Sequence, residues 1–132
     1  MFRGLAAVAL LAVCLGTTCA EASAKGIQHF FFGPGVTTSC EMNIGVPKIP
    51  TSVYCQTYPH TESVILSPKG KLTICHGNNC IGNPPEQIPT LVYGSWIDGG
   101  PFRCTSKRAG VQCVVRSTGH GFLIAPTSIK RV

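Results

Sequence analysis

The sequence predicts an all-β fold, a small antiparallel sandwich or barrel made of short hairpins braced by disulfides. Apolar residues never recur at helical spacing over a useful window. Short runs of β-favouring residues alternate with turn segments, and the chain contains 15 glycines and 10 prolines. Six cysteines follow residue 24, an even number that is typical of the disulfide framework of a small exported domain.

Residues 1–24 are predicted to be a signal peptide. Residues 1–3 carry a positive charge, residues 5–15 are apolar, and Ala22-Ser23-Ala24 has the small-residue pattern of a cleavage site, which places the mature N-terminus at Lys25. A second cleavage pattern is present at Thr18-Cys19-Ala20. The remaining residues, 25–132, form a single predicted β domain.

Two features of the predicted signal peptide bear on membrane attachment. Its apolar run is too short to cross a bilayer, and no later stretch qualifies, so we expect no integral membrane segment in the mature form. A lipid anchor on Cys14 or Cys19 is the minor alternative, because Val13 and Thr18, which precede these cysteines, are not the small residues that lipidation requires. We therefore expect a secreted or cell-envelope protein.

The mature chain reads as a succession of short strands. The predicted strands cover residues 27–32, 36–42, 51–57, 63–66, 71–75, 89–93, 102–106, 111–115, 121–125 and 128–132. Two prolines exclude residues 45–50 from a strand interior. Residues 82–87 and 94–101 are predicted to be loops, since glycine, proline and small polar residues dominate both.

The most specific pattern is a hairpin at residues 102–116. Pairing Cys104 with Cys113 places Phe102 opposite Val115 and leaves residues 107–110 as a four-residue loop. The polar face of this hairpin then carries Arg103, Thr105, Gln112 and Arg116. A slip of one residue would destroy both the cysteine pairing and the separation of apolar from polar side chains.

The six cysteines allow 15 connectivities, and the sequence alone does not choose among them. Neighbours in chain order are nevertheless pairable. The predicted pairs are Cys40–Cys55, Cys75–Cys80 and Cys104–Cys113. The first pair also places Met42 opposite Val53, apolar against apolar.

Several motifs of the chain together resemble a known protein family. They are a cysteine-bearing strand after a Pro-Gly turn, the pair Tyr93-Gly94, the C-x8-C hairpin and the run Ser117-Thr118-Gly119-His120-Gly121-Phe122. The family consists of small secreted bacterial proteins, frequent in actinobacteria, known as a domain of unknown function. At Cys40 the chain departs from the pattern, because Asn-Ile-Gly follows the cysteine instead of preceding it. The resemblance implies an exported, disulfide-bonded domain and carries no activity, ligand or site residue.

Charge provides the one positive indication of function. After residue 24, ten lysines and arginines stand against four acidic residues, a net charge of +6. A basic exported protein is attracted to anionic polymers and surfaces, although the same charge also serves solubility. The candidate anion-binding residues are Arg103, Lys107, Arg108 and Arg116.

Catalytic and metal-binding motifs are weak by comparison. His120, between two glycines, is the candidate polar site, but no nucleophile motif accompanies it. The segment from Cys75 to Cys80, which includes His76, has the spacing of half a zinc site, yet a disulfide is the better interpretation in an exported chain. We therefore expect no cofactor, no metal and no catalytic residue.

These observations lead to one functional prediction with two alternatives. The prediction is a secreted or envelope module that is not an enzyme and binds an anionic envelope polymer or a protein partner. The first alternative is an inhibitor that inserts Lys107-Arg108 or the Cys75–Cys80 tip into a hydrolase. The second is a small enzyme that uses His120.

Overall fold

The computed structural model describes residues 25–132. The predicted signal peptide, with both cleavage patterns, Cys14 and Cys19, lies outside the described residues. Ten strands form two five-stranded antiparallel sheets, and in each sheet every strand pairs with its neighbours in sequence. The sheets pack face to face without closing, so the predicted all-β class is confirmed and the sandwich form is the one adopted.

The first sheet consists of β1 (Ile27–Phe32), β2 (Thr38–Ile44), β3 (Ser52–Thr57), β4 (Glu62–Leu66) and β5 (Leu72–His76). The second sheet consists of β6 (Trp96–Gly99), β7 (Phe102–Ser106), β8 (Val111–Val115), β9 (Gly121–Ala125) and β10 (Ser128–Arg131). Short 3-10 turns at Pro34–Val36 and Asn78–Cys80 are the only helical segments in the described part of the chain. No helix within residues 25–132 has the length and apolar character needed to span a membrane.

The three disulfides pair as predicted, Cys40–Cys55, Cys75–Cys80 and Cys104–Cys113. Two of them join the second and third strands of the two sheets at directly opposed positions. They also meet in the core, where the Sγ atoms of Cys55 and Cys113 lie 4.0 Å apart. The centre of the sandwich is therefore a stack of two disulfides, surrounded by Phe31, Met42, Leu66, Phe102, Phe122 and Ile124.

The predicted hairpin registers are also confirmed. Cys104 pairs with Cys113 and Phe102 with Val115 in the second sheet, and buried positions alternate with partly exposed ones along both strands. In the first sheet Met42 faces Val53. Alternation and a buried face leave one acceptable register for each pair of strands.

Two element predictions were wrong. Residues 96–99 form β6, although the segment was predicted to be a loop; these residues complete the hydrogen bonding of one edge of β7. Residues 89–93 were predicted to be a strand, but among the described residues they make a single isolated bridge, between Thr90 and Phe32. Phe32 accounts for the contact, since its N–H donates to the carbonyl of Pro89 and its carbonyl accepts from the N–H of Leu91, both at 2.8 Å.

Candidate functional site

The outer face of the second sheet brings together most of the predicted anion-binding residues. The strand register places Asp98 opposite Arg103 and Trp96 opposite Thr105. Arg103 in turn faces Val114 on β8. Because Cys104 and Phe102 point into the core, these partners all point outward. We call this surface, with the adjoining residues Tyr93, Lys107, Arg108 and Arg116, the basic face.

Arg103 is held in place by two partners from β6. Its Nε donates to Asp98 Oδ1 at 2.6 Å and its Nη2 donates to Oδ2 at 2.8 Å. Its guanidinium carbon lies 5.4 Å from the centre of the Trp96 ring. The Trp96 side chain is nonetheless 58% exposed, so a cation and an accessible aromatic surface lie side by side.

Asp98 is the acidic member of the basic face. The hairpin sequence between residues 103 and 116 contains no acidic residue, but β6 brings this carboxylate against Arg103 and to 4.0 Å from Arg116 Nη2. The hydrogen bonds from Arg103 hold the pKa of Asp98 below its ordinary value of 3.8, and the same pair raises the pKa of Arg103. At neutral pH Arg103 is therefore already paired with Asp98, and Arg116 forms a longer contact with the same carboxylate.

The tip of the hairpin repeats the arrangement of a guanidinium on an aromatic ring. Arg108 lies over Tyr93, with its guanidinium carbon 5.4 Å from the ring centre and its Nε donating to the phenol oxygen at 3.1 Å. Backbone hydrogen bonds between Lys107 and Gly110 close the loop in both directions. Lys107 and Arg108 are exposed, and Arg108 folds back along the face instead of projecting away from it.

The basic face is shallow and elongated. An open depression of about 470 Å³ lies at one end, lined by Arg103, Val114, Arg116 and Ser117. The second aromatic-arginine pair lies toward the other end, at the turn that follows β7. Three residues of strand, roughly 10 Å at the rise of a β-strand, separate Arg103 from the end of β7. A surface of this shape suits an extended ligand better than a compact one.

Tyr93 and Trp96 are the residues of this face that the sequence analysis missed. Both lay in or beside a segment predicted to be a loop, and neither was given a role. The available signal was two aromatic residues in a polar, glycine-rich segment directly before a basic hairpin. Backbone bonds from Gly94 N to Ser106 O at 3.0 Å and from Ser106 N to Ser95 O at 2.8 Å extend the β6–β7 ladder and bring this segment alongside the tip.

His120, the predicted polar site, lies in the exposed turn between β8 and β9. Its backbone N–H donates to Thr118 Oγ1 at 3.2 Å and its carbonyl accepts from Val115 N at 2.8 Å. Within residues 25–132 its imidazole makes no hydrogen bond or ion pair with another side chain. This environment provides none of the partners that would orient a catalytic histidine.

A second concave surface lies on the outer face of the first sheet. Residues 81–85 cross this face, and the side-chain amide of Gln56 anchors them by donating to Gly82 O and accepting from Gly82 N, both at 2.7 Å. The groove beside this crossing has a volume of about 360 Å³, and its lining includes Phe32, Tyr58 and Pro84. Its lining contains no lysine, arginine, histidine or carboxylate, so the groove offers no charge to an anionic ligand.

Comparison of the chain with family models, with curated proteins and with solved structures found no match. The resemblance to the secreted bacterial family therefore stays a prediction from its motifs.

Proposed function

We propose that this protein is a secreted or cell-envelope binding module, without catalytic activity, that holds an anionic polymer along the basic face. The observation that supports the proposal best is the repeated pairing of an arginine with an exposed aromatic ring, Arg103 on Trp96 and Arg108 on Tyr93. Guanidinium groups recognise carboxylates and phosphates, and the rings offer flat surfaces for stacking. The family resemblance and the three disulfides agree with an exported location.

The polymer form of the ligand follows from the shape of the face. Each exposed cation attracts an anion weakly in water, since solvent and salt screen it. Several cations along one strand direction gain affinity together when a single flexible ligand contacts them all. An acidic polysaccharide fits best, because its sugar rings can stack on Trp96 and Tyr93 while its carboxylates reach the arginines.

The hydrolase-inhibitor alternative receives less support from the tip geometry. An inhibitory loop presents a side chain outward into the active site of its target. Arg108 instead lies along the face, hydrogen-bonded to Tyr93. The alternative that uses His120 receives little support, because its imidazole has no partner side chain among residues 25–132.

The test compares two pairs of charged residues at hairpin tips. The double variant Lys107→Ala with Arg108→Ala removes two charges from the basic face. The control, Lys69→Ala with Lys71→Ala, removes two charges around the β4–β5 turn of the other sheet. Both variants lose the same net charge, and all four side chains lie at or near turns, so neither variant is expected to melt much earlier than the wild type.

Affinity for polygalacturonate is measured at low and at physiological salt. We expect wild type and control to bind alike, with affinity falling steeply as salt rises. We expect the Lys107/Arg108 variant to bind more weakly and its logarithmic salt slope to decrease by up to about two, one for each lost contact. Equal binding by the two double variants at both salts would refute the basic face as the binding surface.

A further inference from the structure

Three side chains with metal-binding chemistry converge at the edge of the first sheet, far from the basic face in sequence. His76 ends β5 and is the register partner of Glu62, which begins β4. His60 lies two residues before Glu62, in the turn that leads into β4. We call His60, Glu62 and His76 the edge cluster.

Both imidazoles approach the same carboxylate oxygen. His76 Nδ1 lies 2.8 Å and His60 Nε2 lies 3.4 Å from Glu62 Oε1. In a tetrahedral zinc site with bonds of 2.0–2.1 Å, neighbouring ligand atoms are about 3.3 Å apart. The two nitrogen-to-oxygen separations are thus close to those between ligands that share one ion.

The carboxylate of Glu62 is largely buried and has no lysine or arginine beside it in the described part of the chain. Its side chain is only 14% exposed. Its second oxygen, Oε2, is buried and has no hydrogen-bond partner among the described residues. A buried carboxylate oxygen without a donor is costly, and a bound cation would offset that cost.

The backbone that carries these residues is tied on each side. The Thr57 hydroxyl donates to the carbonyl of His60. Gly77 N, next to His76, donates to Thr61 O at 2.7 Å. The Cys75–Cys80 disulfide begins directly beside His76. The imidazoles themselves remain accessible, with exposed fractions of 50% for His60 and 70% for His76.

We propose that the edge cluster binds one divalent transition-metal ion through His60, Glu62 and His76, with water completing its coordination. Two imidazoles and one carboxylate form a ligand set that zinc uses in proteins. The three ligand atoms of the edge cluster do not all lie within 4.8 Å of one another. Among the described residues, the one set of three ligand-type residues that meets this distance consists of the disulfide sulfurs of Cys40, Cys55 and Cys113. Closure of the edge cluster needs a side-chain rotation that brings the exposed His76 ring toward His60.

Binding also requires a change of protonation. An imidazole nitrogen that donates its proton to Glu62 has no lone pair for a metal. The proton must move to the other ring nitrogen or leave to solvent, which the exposure of both rings allows. Zn²⁺ is the appropriate probe because it accepts nitrogen and oxygen ligands without redox chemistry.

The experiment titrates Zn²⁺ into the oxidised protein by calorimetry in a buffer that does not chelate metal. The variants are Glu62→Gln and His76→Asn, and the control is His120→Asn, which removes an exposed turn histidine elsewhere. We expect one ion per chain for wild type and control, and affinity at least about tenfold lower in both edge-cluster variants. The ring proton resonances of His60 and His76 should move on binding, while those of His120 stay in place.

Several results would overturn the proposal. They are the absence of binding in wild type, equal affinity in wild type and either edge-cluster variant, and an equal loss in the His120→Asn control. The last result would indicate adventitious binding to surface histidines. If Glu62→Gln fails to fold, His76→Asn still decides the matter, because that side chain is largely exposed and its removal leaves the core intact.

Discussion

Removing the Cys104–Cys113 disulfide is expected to lower the free energy of unfolding far more than removing the Cys75–Cys80 disulfide. The lengths of the two closed loops explain only a small part of this difference. The two bonds close sequence separations of 9 and 5 residues. In the chain-entropy treatment these separations correspond to about 2.6 and about 2 kcal/mol of unfolding free energy. The unfolded chain thus accounts for a difference of only about half a kcal/mol.

Packing accounts for the rest. Cys104 and Cys113 are fully buried, and Cys113 contacts Cys55 at the centre of the sandwich. Replacement by alanine deletes two buried sulfurs, each worth about 1 kcal/mol on the scale of a buried methylene, with a cavity term added where neighbours do not relax. Cys75 and Cys80 are not buried, so their replacement lacks this contribution.

We therefore expect the free energy of unfolding to fall by about 4.5 kcal/mol in the Cys104→Ala, Cys113→Ala variant. The Cys75→Ala, Cys80→Ala variant should lose about 2 kcal/mol. At roughly 4 °C per kcal/mol for a domain of this size, the melting temperatures should fall by about 18 °C and about 8 °C. Urea and thermal unfolding followed by circular dichroism measure both values. If the two variants melt within 2–3 °C of each other, the stacked core disulfides do not contribute through packing and the reasoning is wrong.

Three further predictions concern the Arg103–Asp98 pair, a glycine in β9 and the cleavage of the signal peptide. Asp98→Asn should strengthen binding to polygalacturonate at neutral pH by up to about fivefold, because it releases Arg103 from its intramolecular partner. In the wild type, the stabilisation from this pair is present above the ordinary pKa of 3.8 and is lost as pH falls through the lower pKa of the folded state. The carboxylates of polygalacturonate lose their charge in the same acidic range, so wild type and Asp98→Asn are compared at neutral pH. Gly121→Ala should destabilise the protein severely, since a Cβ would lie 1.9 Å from a carbonyl oxygen of the neighbouring strand; the control Gly119→Ala has open space around it and should cost only about 1 kcal/mol for its positive φ. Mass analysis of the exported protein should give Lys25 as its first residue, and a lipid on either leader cysteine would contradict the predicted cleavage.

Much of the fold could be predicted because its strongest constraints are local. Each disulfide joins two cysteines with no other cysteine between them in the chain. A hairpin of alternating apolar and polar residues has one register that buries its apolar side. The pairing of Cys104 with Cys113, and of Phe102 with Val115, follows from these two facts. The all-β class follows from the same alternation together with the spacing of turns.

The strands that depend on non-local neighbours could not be predicted as well. Residues 96–99 combine two strand-favouring residues, Trp96 and Ile97, with an aspartate and a glycine that disfavour strands, so their composition does not decide the conformation. They become β6 because the free edge of β7 supplies hydrogen-bond partners. Residues 89–93 have the composition of a strand, but apart from one bridge to Phe32 none of the ten described strands pairs with them. Strand formation in such short segments is decided by the available partner, which composition does not reveal.

The candidate sites divide in the same way. The sequence by itself determined that Arg103, Lys107, Arg108 and Arg116 belong to one polar hairpin surface, because side chains alternate along a strand. Only the tertiary structure decided that Asp98 neutralises Arg103 and that Trp96 and Tyr93 lie under the two arginines. Likewise, His60, Glu62 and His76 show no common spacing, and they converge because the β4–β5 register places distant residues opposite each other. Side-chain direction is a local property of the backbone, whereas proximity between strands depends on how the whole sheet is assembled.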